Sequence, residues 1–275
     1  MTDYIIGAGQ TASIVKMFFP EAIIIANGQG QAPPLCELWN TKWTRKFVEE
    51  FGLENKKRVM THNYVCSGNL KKAIKQYNKL THKPLDNKPS MGRKKILILE
   101  TKIPKTRIGI REKVNDFAGK KLFGEKNTYP AEKIFCCAPF EKQKIFPIQV
   151  IEFFSMDKIF KSNYIYLFDK KYLDEGVYRI SKKKDCESKG FFYRVEIAGQ
   201  ERINFVGIYE MLCKDGFFDS FIINAWTLKN GHIGKGKKPV DKNGVFFFGR
   251  FAQNDNEILL SDVIEKCYRI REELE

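Results

Sequence analysis

The chain has 275 residues, 43% of them hydrophobic, with 23 Phe and 11 Tyr; this excludes global disorder and exceeds the ~100–150 residues typical of one core, so one large or two interleaved domains are expected. Lys and Arg number 48 against 33 Asp and Glu, a net charge of +15, which favours anionic partners: nucleic acid, a nucleotide-linked metabolite or an anionic surface. No apolar run approaches the ~20 residues that span a bilayer, and seven cysteines without a CxxC pair or zinc-type His spacing predict neither a disulfide framework nor a metal site.

Asp3 to Ile6 is a short apolar strand that runs into Gly7-Ala-Gly9-Gln-Thr-Ala12. The strand is too short, and lacks a basic leader, to act as a signal peptide, so a reducing cytoplasm is the expected location. Ser13 to Phe19 reads as a brief helix ended by Pro20, and Ala22 to Ala26 as a strand buried on both faces. Strand, glycine turn, helix and strand in that order open a dinucleotide-binding βαβ unit. In such a unit Gly7 permits the tight exit from the strand and Gly9 lets a pyrophosphate approach the backbone. The small Ala12 stands where a third glycine is usual, and Gln10 and Thr11 begin the helix whose N–H groups would face the phosphates. The position expected to hold an acidic, ribose-gripping residue is Asn27, which can accept a hydrogen bond without charge or can simply turn the chain.

After the Gly- and Pro-rich loop Asn27 to Pro34, Trp43 to Phe51 is an amphipathic helix stopped by Gly52. Val59 to Val65 and Lys95 to Leu99 are expected strands flanking a helix over Asn69 to Leu80, and Lys133 to Cys137 is another apolar strand. From Pro147 to Ile223 the runs YIYLF, VYRIS, FFYRVEI and FIINAW predict antiparallel strands joined by polar turns. Gly244 to Gly249 reads as a last strand, and Ser261 to Leu274 as a terminal helix with Ser261 as N-cap and Asp262 in its first turn. The positive charge gathers in Arg93 to Lys126, Lys182–Lys184 and Lys235–Lys238, where any nucleic acid would bind.

Taken together, these segments resemble flavoproteins of the UDP-galactopyranose mutase and amine-oxidase superfamily. Tyr4 to Ala12 and Ala22 to Gln31 are similar to the superfamily's opening, with Asn27-Gly-Gln-Gly-Gln31 where those proteins bring a glycine turn towards the flavin. Lys133 to Pro139 is similar to their strand ending in Ala-Pro. Gly249-Arg250 followed by Ser261-Asp262 is similar to their C-terminal signature. The resemblance implies FAD as cofactor, with Arg250 at the cofactor or a substrate phosphate and Asp262 near the ribityl chain. It further implies an α/β fold: a Rossmann-like FAD-binding domain (1–60, 95–140 and 228–275) with an inserted, smaller antiparallel-sheet substrate domain (61–94 and 141–227).

The activity so implied is an FAD-dependent, amine-oxidase-like oxidoreductase acting on an anionic substrate, nucleotide-linked or within nucleic acid. A nucleotide-sugar mutase and a non-catalytic nucleic-acid-binding protein are the alternatives. Against the mutase, no tyrosine lies between Gly249-Arg250 and Asp262, and the chain is shorter than those enzymes. Arg179, Tyr193, Arg194 and Trp226 lie in the aromatic strands and are candidate substrate contacts, since arginine offers a planar fork and tryptophan a stacking face. Core packing and solvated arginines are the competing account of the same residues. His62, His82 and His232 form no catalytic constellation, and no catalytic side chain is assigned. In a flavoprotein the cofactor performs the redox chemistry.

Overall fold

The computed structural model describes residues 2–28, 35–82, 92–139, 145–184, 189–198, 203–217, 222–233, 237–253, 255 and 257–275. In chain order the elements are β1 (Thr2–Ile6), α1 (Gln10–Phe18), β2 (Ile23–Ile25), β3 (Leu35–Trp39), α2 (Lys42–Glu50), β4 (Asn55–Val65), α3 (Leu70–Thr81), β5 (Gly92–Lys102), β6 (Val114–Ala118), β7 (Lys121–Gly124) and β8 (Thr128–Cys136). They continue with β9 (Ile145–Ser155), β10 (Tyr164–Leu167), α4 (Lys170–Asp174), β11 (Val177–Lys184), β12 (Phe191–Ala198), α5 (Phe205–Lys214), β13 (Ile222–Ile233), β14 (Val245–Phe247), α6 (Gly249–Ala252) and α7 (Leu260–Leu274). Two compact units emerge: Met1–Arg58, Leu97–Lys144 and Lys235–Glu275 form the first, and Val59–Ile96 with Ile145–Gly234 the second. Among the described residues no helix is long and apolar enough to cross a membrane.

The first unit is built on four parallel strands. β1 pairs with β2 on one side and β8 on the other, and β14 adds to β8, so that Ile6 lies opposite Ile25 and Cys136, and Cys136 opposite Phe247. Side chains alternate between two covered faces, which is why these strands read as continuous apolar runs. Ile5, Ile24 and Phe135 point into a core shared with the helices α1, α2 and α7. Phe18 of α1 lies edge-on to Tyr268 of α7, with ring centroids 4.7 Å apart. Tyr4, Ile6, Ile25, Ile134 and Cys136 point the other way, onto Leu122 and Phe117 of an antiparallel extension in which β6 pairs with β7 and β7 with the start of β8.

The helix starts differ from the sequence reading in ways the caps explain. α1 begins at Gln10, directly after Gly9, because Gly9 has extended φ/ψ and its carbonyl accepts from Ser13 N–H. Ser13 is thus the fourth helical residue rather than the first. At α7 the N-cap is Leu259, not Ser261: Asp262, at the third helical position, accepts from Leu259 N–H at 2.8 Å. Leucine has no acceptor to reciprocate, so half of a capping box forms. Only Val245–Phe247 of the expected Gly244–Gly249 strand pairs as strand; Gly249, with φ +75°, turns the chain into the short α6.

Glu112 anchors the hairpin between β7 and β8. Its carboxylate accepts from Tyr129 Oη and from the N–H groups of Lys126 and Asn127. These bonds, the tyrosine's foremost, hold its pKa down to about 2 from the ordinary 4.5. Because the folded chain binds the proton more weakly than the unfolded one, the contribution is complete above about pH 4.5 and is lost as pH falls towards about 2. Glu112→Gln is expected to lower the melting temperature at neutral pH and to converge with the parent near pH 2 in thermal melts followed by circular dichroism.

In the second unit the strands run in the order β13-β9-β12-β11-β10-β4-β5. Neighbours from β13 to β10 are antiparallel, as the aromatic runs predict, but β10 pairs with β4 in parallel, Tyr166 opposite Tyr64. The two strands are far apart in the chain, so no hairpin turn dictates their direction. One face carries Ile151, Phe153, Val195 and Ile197 beneath Ile208 and Leu212 of α5. The other packs Val150, Phe168 and Tyr178 against Ala73 and Tyr77 of α3 and leaves a half-buried aromatic row beside them. α5, absent from the sequence reading, is capped by Asn204, whose side chain accepts from Gly207 N–H at 3.0 Å.

Candidate functional site

The four parallel strands of the first unit end at one edge, where the chain leaves each of them in a turn. A parallel α/β sheet binds its ligands outside the carboxyl ends of its strands, because there the helix N-termini point their free N–H groups and the loops diverge. Three segments distant in sequence meet at this edge. Gly7, with φ +106°, donates to Ile25 O at 2.9 Å, and a Cβ built on it would sit 3.2 Å from the Cβ of Ala138. Cys137 N–H donates to Ile6 O at 2.9 Å and Phe248 N–H to Cys136 O at 2.8 Å, which ties the ends of β1, β8 and β14 together. Gly249 lies against α1: a Cβ there would fall 2.7 Å from Thr11 Oγ1. Any side chain at Gly249 would displace Thr11.

Gly9 differs from both. Its φ of −88° suits any residue, and a Cβ built there meets nothing within 4 Å. The glycine therefore answers neither a strained backbone nor a packing neighbour. It leaves space open in front of α1, whose first turn has no side-chain cap and no acidic residue. Such an end is suited to an anion, since the dipole and the unpaired N–H groups both favour negative charge. Gln10 hydrogen-bonds the Cys36 thiol, whose burial pushes its pKa up to about 11; that thiol is packing, not a nucleophile. Asn27 is exposed just beyond β2, and Gln31 lies outside the described residues.

Arg250, on α6, has its guanidinium over the Phe251 ring at 4.7 Å. Asp262 is occupied by its cap on Leu259 N–H, and it borders a groove of about 530 Å³ beside α7 that includes Asp241, Lys242, Lys266 and Arg269. The sequence reading missed a further contributor at the edge: Gly109 N–H donates to Ile24 O and Ala26 N–H to Ile110 O, so residues 108–110 run alongside the end of β2. A Cβ on Gly109 would collide with Ile23 Cγ2 at 2.7 Å; a lone glycine in a basic stretch carried no signal of this.

Arg179, Tyr193, Arg194 and Trp226 all belong to the second unit, and the structure gives most of them partners within it. Tyr193 is fully buried, its hydroxyl accepting from Ile159 N–H at 2.9 Å and donating to Asp157 O at 3.0 Å. It is a core residue with no surface to offer a substrate. Arg179 donates three times to Glu196, at 3.0, 2.6 and 2.7 Å, and Arg194 Nε donates to Glu152 at 2.7 Å while its guanidinium lies 5.4 Å over the Trp226 ring. Each arginine fork already holds a carboxylate. Both glutamates stand opposite their arginines across paired strands, Glu196 opposite Arg179 and Glu152 opposite Arg194, which the register alone dictates.

Beside Arg179, His62 lies between Tyr164 and Tyr166, with ring centroids 5.0 and 5.5 Å away. Burial, then the charges of Arg179 and Lys94, lowers its pKa to about 4, so the ring is neutral at neutral pH. Among the described residues no three His, Cys, Asp or Glu side chains converge as a metal site.

No protein-family model matches the chain, and no curated protein sequence matches it either. Solved structures do. Putrescine oxidase bound to putrescine is similar with a TM-score of 0.58 at 8% identity, over 99% of this chain and 98% of that one. A protein of Pyrococcus furiosus reaches a TM-score of 0.60 at 9% identity, over 100% of this chain and 97% of its own. A tryptophan halogenase from Shewanella frigidimarina reaches 0.56 at 10% identity, over 100% of this chain and 71% of that one. At such identities the likeness is one of fold: a mixed α/β fold whose first unit carries a Rossmann-like parallel sheet.

Proposed function

We propose that the chain is an FAD-dependent oxidoreductase, amine-oxidase-like, that acts on an anionic substrate, nucleotide-linked or nucleic-acid-linked. The observation that carries this reading is the unfilled space at Gly9, before an uncapped helix and beside the junction of Gly7 with Ala138 and of Thr11 with Gly249. Those contacts join the three segments on which the sequence resemblance rests. The residues present fit a dinucleotide: Gly7 and Gly9 for the pyrophosphate, the N–H groups of Gln10 and Thr11 behind them, and Arg250 and Asn27 as further polar groups on the first unit. Asn27 lacks the charge that usually grips a ribose, so binding rests more heavily on the phosphate contacts.

Bound flavin supplies the redox chemistry, and the chain's own part is to hold it, orient the substrate and exclude water. The second unit is the substrate-binding part in this reading. The test is direct: the purified chain, titrated with FAD, should quench flavin fluorescence and carry the flavin's absorbance bands through gel filtration. A chain that takes up no flavin refutes the reading. If such a chain instead bound an oligonucleotide with an affinity falling steeply with salt, its net charge of +15 would point to the nucleic-acid-binding alternative.

A further inference from the structure

The half-buried face of the second unit holds a ladder of rings and cations across four neighbouring strands. Lys94 of β5 lies 5.3 Å over the Tyr64 ring of β4, and Tyr64 stacks on Tyr166 of β10 at 4.8 Å with only 9° between the planes. Arg179 of β11 closes the ladder 6.0 Å from Tyr166 and 5.3 Å from Tyr164. Each tyrosine face is therefore already covered, by a cation on one side and the other tyrosine on the other. An incoming planar group has no ring face to stack upon. What the pair presents is its edge, two near-parallel rings 4.8 Å apart on residues that stand opposite each other across paired strands.

Neither hydroxyl has a hydrogen-bond partner among the described residues, and neither is sealed from solvent. Burial, and the neighbouring Tyr166, raise the pKa of Tyr64, which keeps its proton available as a donor. One oxygen accepting from both phenols at the usual ~2.7 Å can span hydroxyls up to about 5.4 Å apart. The charges beside the pair are unequal in their availability. Arg179 is neutralised by Glu196 and Arg194 by Glu152, whereas Lys94 is exposed and has no acidic partner among the described residues.

We propose that Tyr64, Tyr166 and Lys94 form an oxyanion subsite on the second unit, which takes a carboxylate or phosphate group through two phenol donors and one ammonium. That this group is the anionic end of the substrate rests on the flavoenzyme reading; the binding itself does not. The subsite replaces the arginines, whose positions in aromatic strands made them the natural sequence-based choice but whose charges are each paired with a glutamate.

The test uses the flavin-free full chain, titrated calorimetrically with benzoate and with inorganic phosphate. Binding of one or both is expected, with Tyr64→Phe and Tyr166→Phe each weakening it about tenfold, the usual worth of a hydrogen bond to a charged group. Lys94→Gln should weaken it further and flatten its salt dependence, while Lys214→Gln, an equal loss of charge beneath the opposite face, should leave it unchanged. Preference for benzoate identifies a carboxylate site, and preference for phosphate a phosphate site. Absence of binding, or binding that both Tyr→Phe variants retain, overturns the proposal. Anion binding lost with FAD binding intact condemns the subsite alone, and the converse condemns the flavoenzyme reading alone.

Discussion

Gly9→Ser is expected to abolish tight FAD binding while leaving the fold as stable as before or slightly more so. The two effects have opposite signs because Gly9 sits at an N-cap with extended dihedrals and open space where a side chain would project. Serine at that position caps the helix, and relative to glycine gains a few tenths of a kcal/mol. Its hydroxyl would take the N–H groups that the pyrophosphate needs and fill the space the phosphate occupies. Losing two charge-assisted hydrogen bonds costs about 3 kcal/mol or more, on the order of a hundredfold in affinity.

Gly7→Ser, two residues earlier, is expected to behave differently. At φ +106° an L-residue is strained, and its Cβ would press on Ala138, so the fold itself should lose about 2–3 kcal/mol. Flavin fluorescence titration and urea unfolding, run on both variants, separate the cases. Equal destabilisation by the two substitutions, or undiminished FAD binding by Gly9→Ser, would remove the phosphate role assigned to Gly9.

A second large effect lies in the other unit. Glu196→Ala should destabilise the chain by about 2–3 kcal/mol, the cost of leaving a partly buried charge and a buried tyrosine hydroxyl without their partner. Glu196 accepts three hydrogen bonds from Nε and Nη2 of Arg179 and one from the hydroxyl of Tyr178, a residue 3% exposed. All four bonds go at once, which leaves the Tyr178 hydroxyl buried and the Arg179 side chain 28% exposed. Glu152→Ala makes the control. Its partner Arg194 has a side chain 43% exposed, so solvent can replace the carboxylate and the expected loss is about 1 kcal/mol or less. Comparable losses for the two variants in denaturant titrations would mean that Arg179 is no more dependent on its glutamate than a surface arginine.

Much of the first unit was legible because its signals are local. A glycine turn between two apolar runs specifies strand, turn and helix through the backbone alone, and the runs are uninterrupted because both faces of a parallel sheet are covered. Helix boundaries were less secure. Ser261 is a better N-cap by preference than Leu259, yet Asp262 placed the start two residues earlier by reaching back to Leu259 N–H. Propensity ranks single residues, whereas the cap depends on which side chain can reach which N–H. In the second unit, alternation announced strands but said nothing of which strand lies beside which. The parallel pairing of β10 with β4 brings Tyr166 against Tyr64 across a hundred residues of chain, and no periodicity records that.

By itself the sequence determined the βαβ opening, the aromatic strands and the net charge, since each depends only on neighbours in the chain or on totals. Tertiary structure alone decided what the candidate residues are free to do. Register set Glu196 against Arg179 and Glu152 against Arg194, and so paired with a carboxylate each of the two arginines that the sequence offered as anion receptors. Packing enclosed Tyr193 and left Tyr64 and Tyr166 half-buried. The backbone angle at each glycine divided Gly7, which the fold requires, from Gly9, which it does not. A side chain's chemistry is written in its type, but its availability depends on which partners the fold places within hydrogen-bond reach.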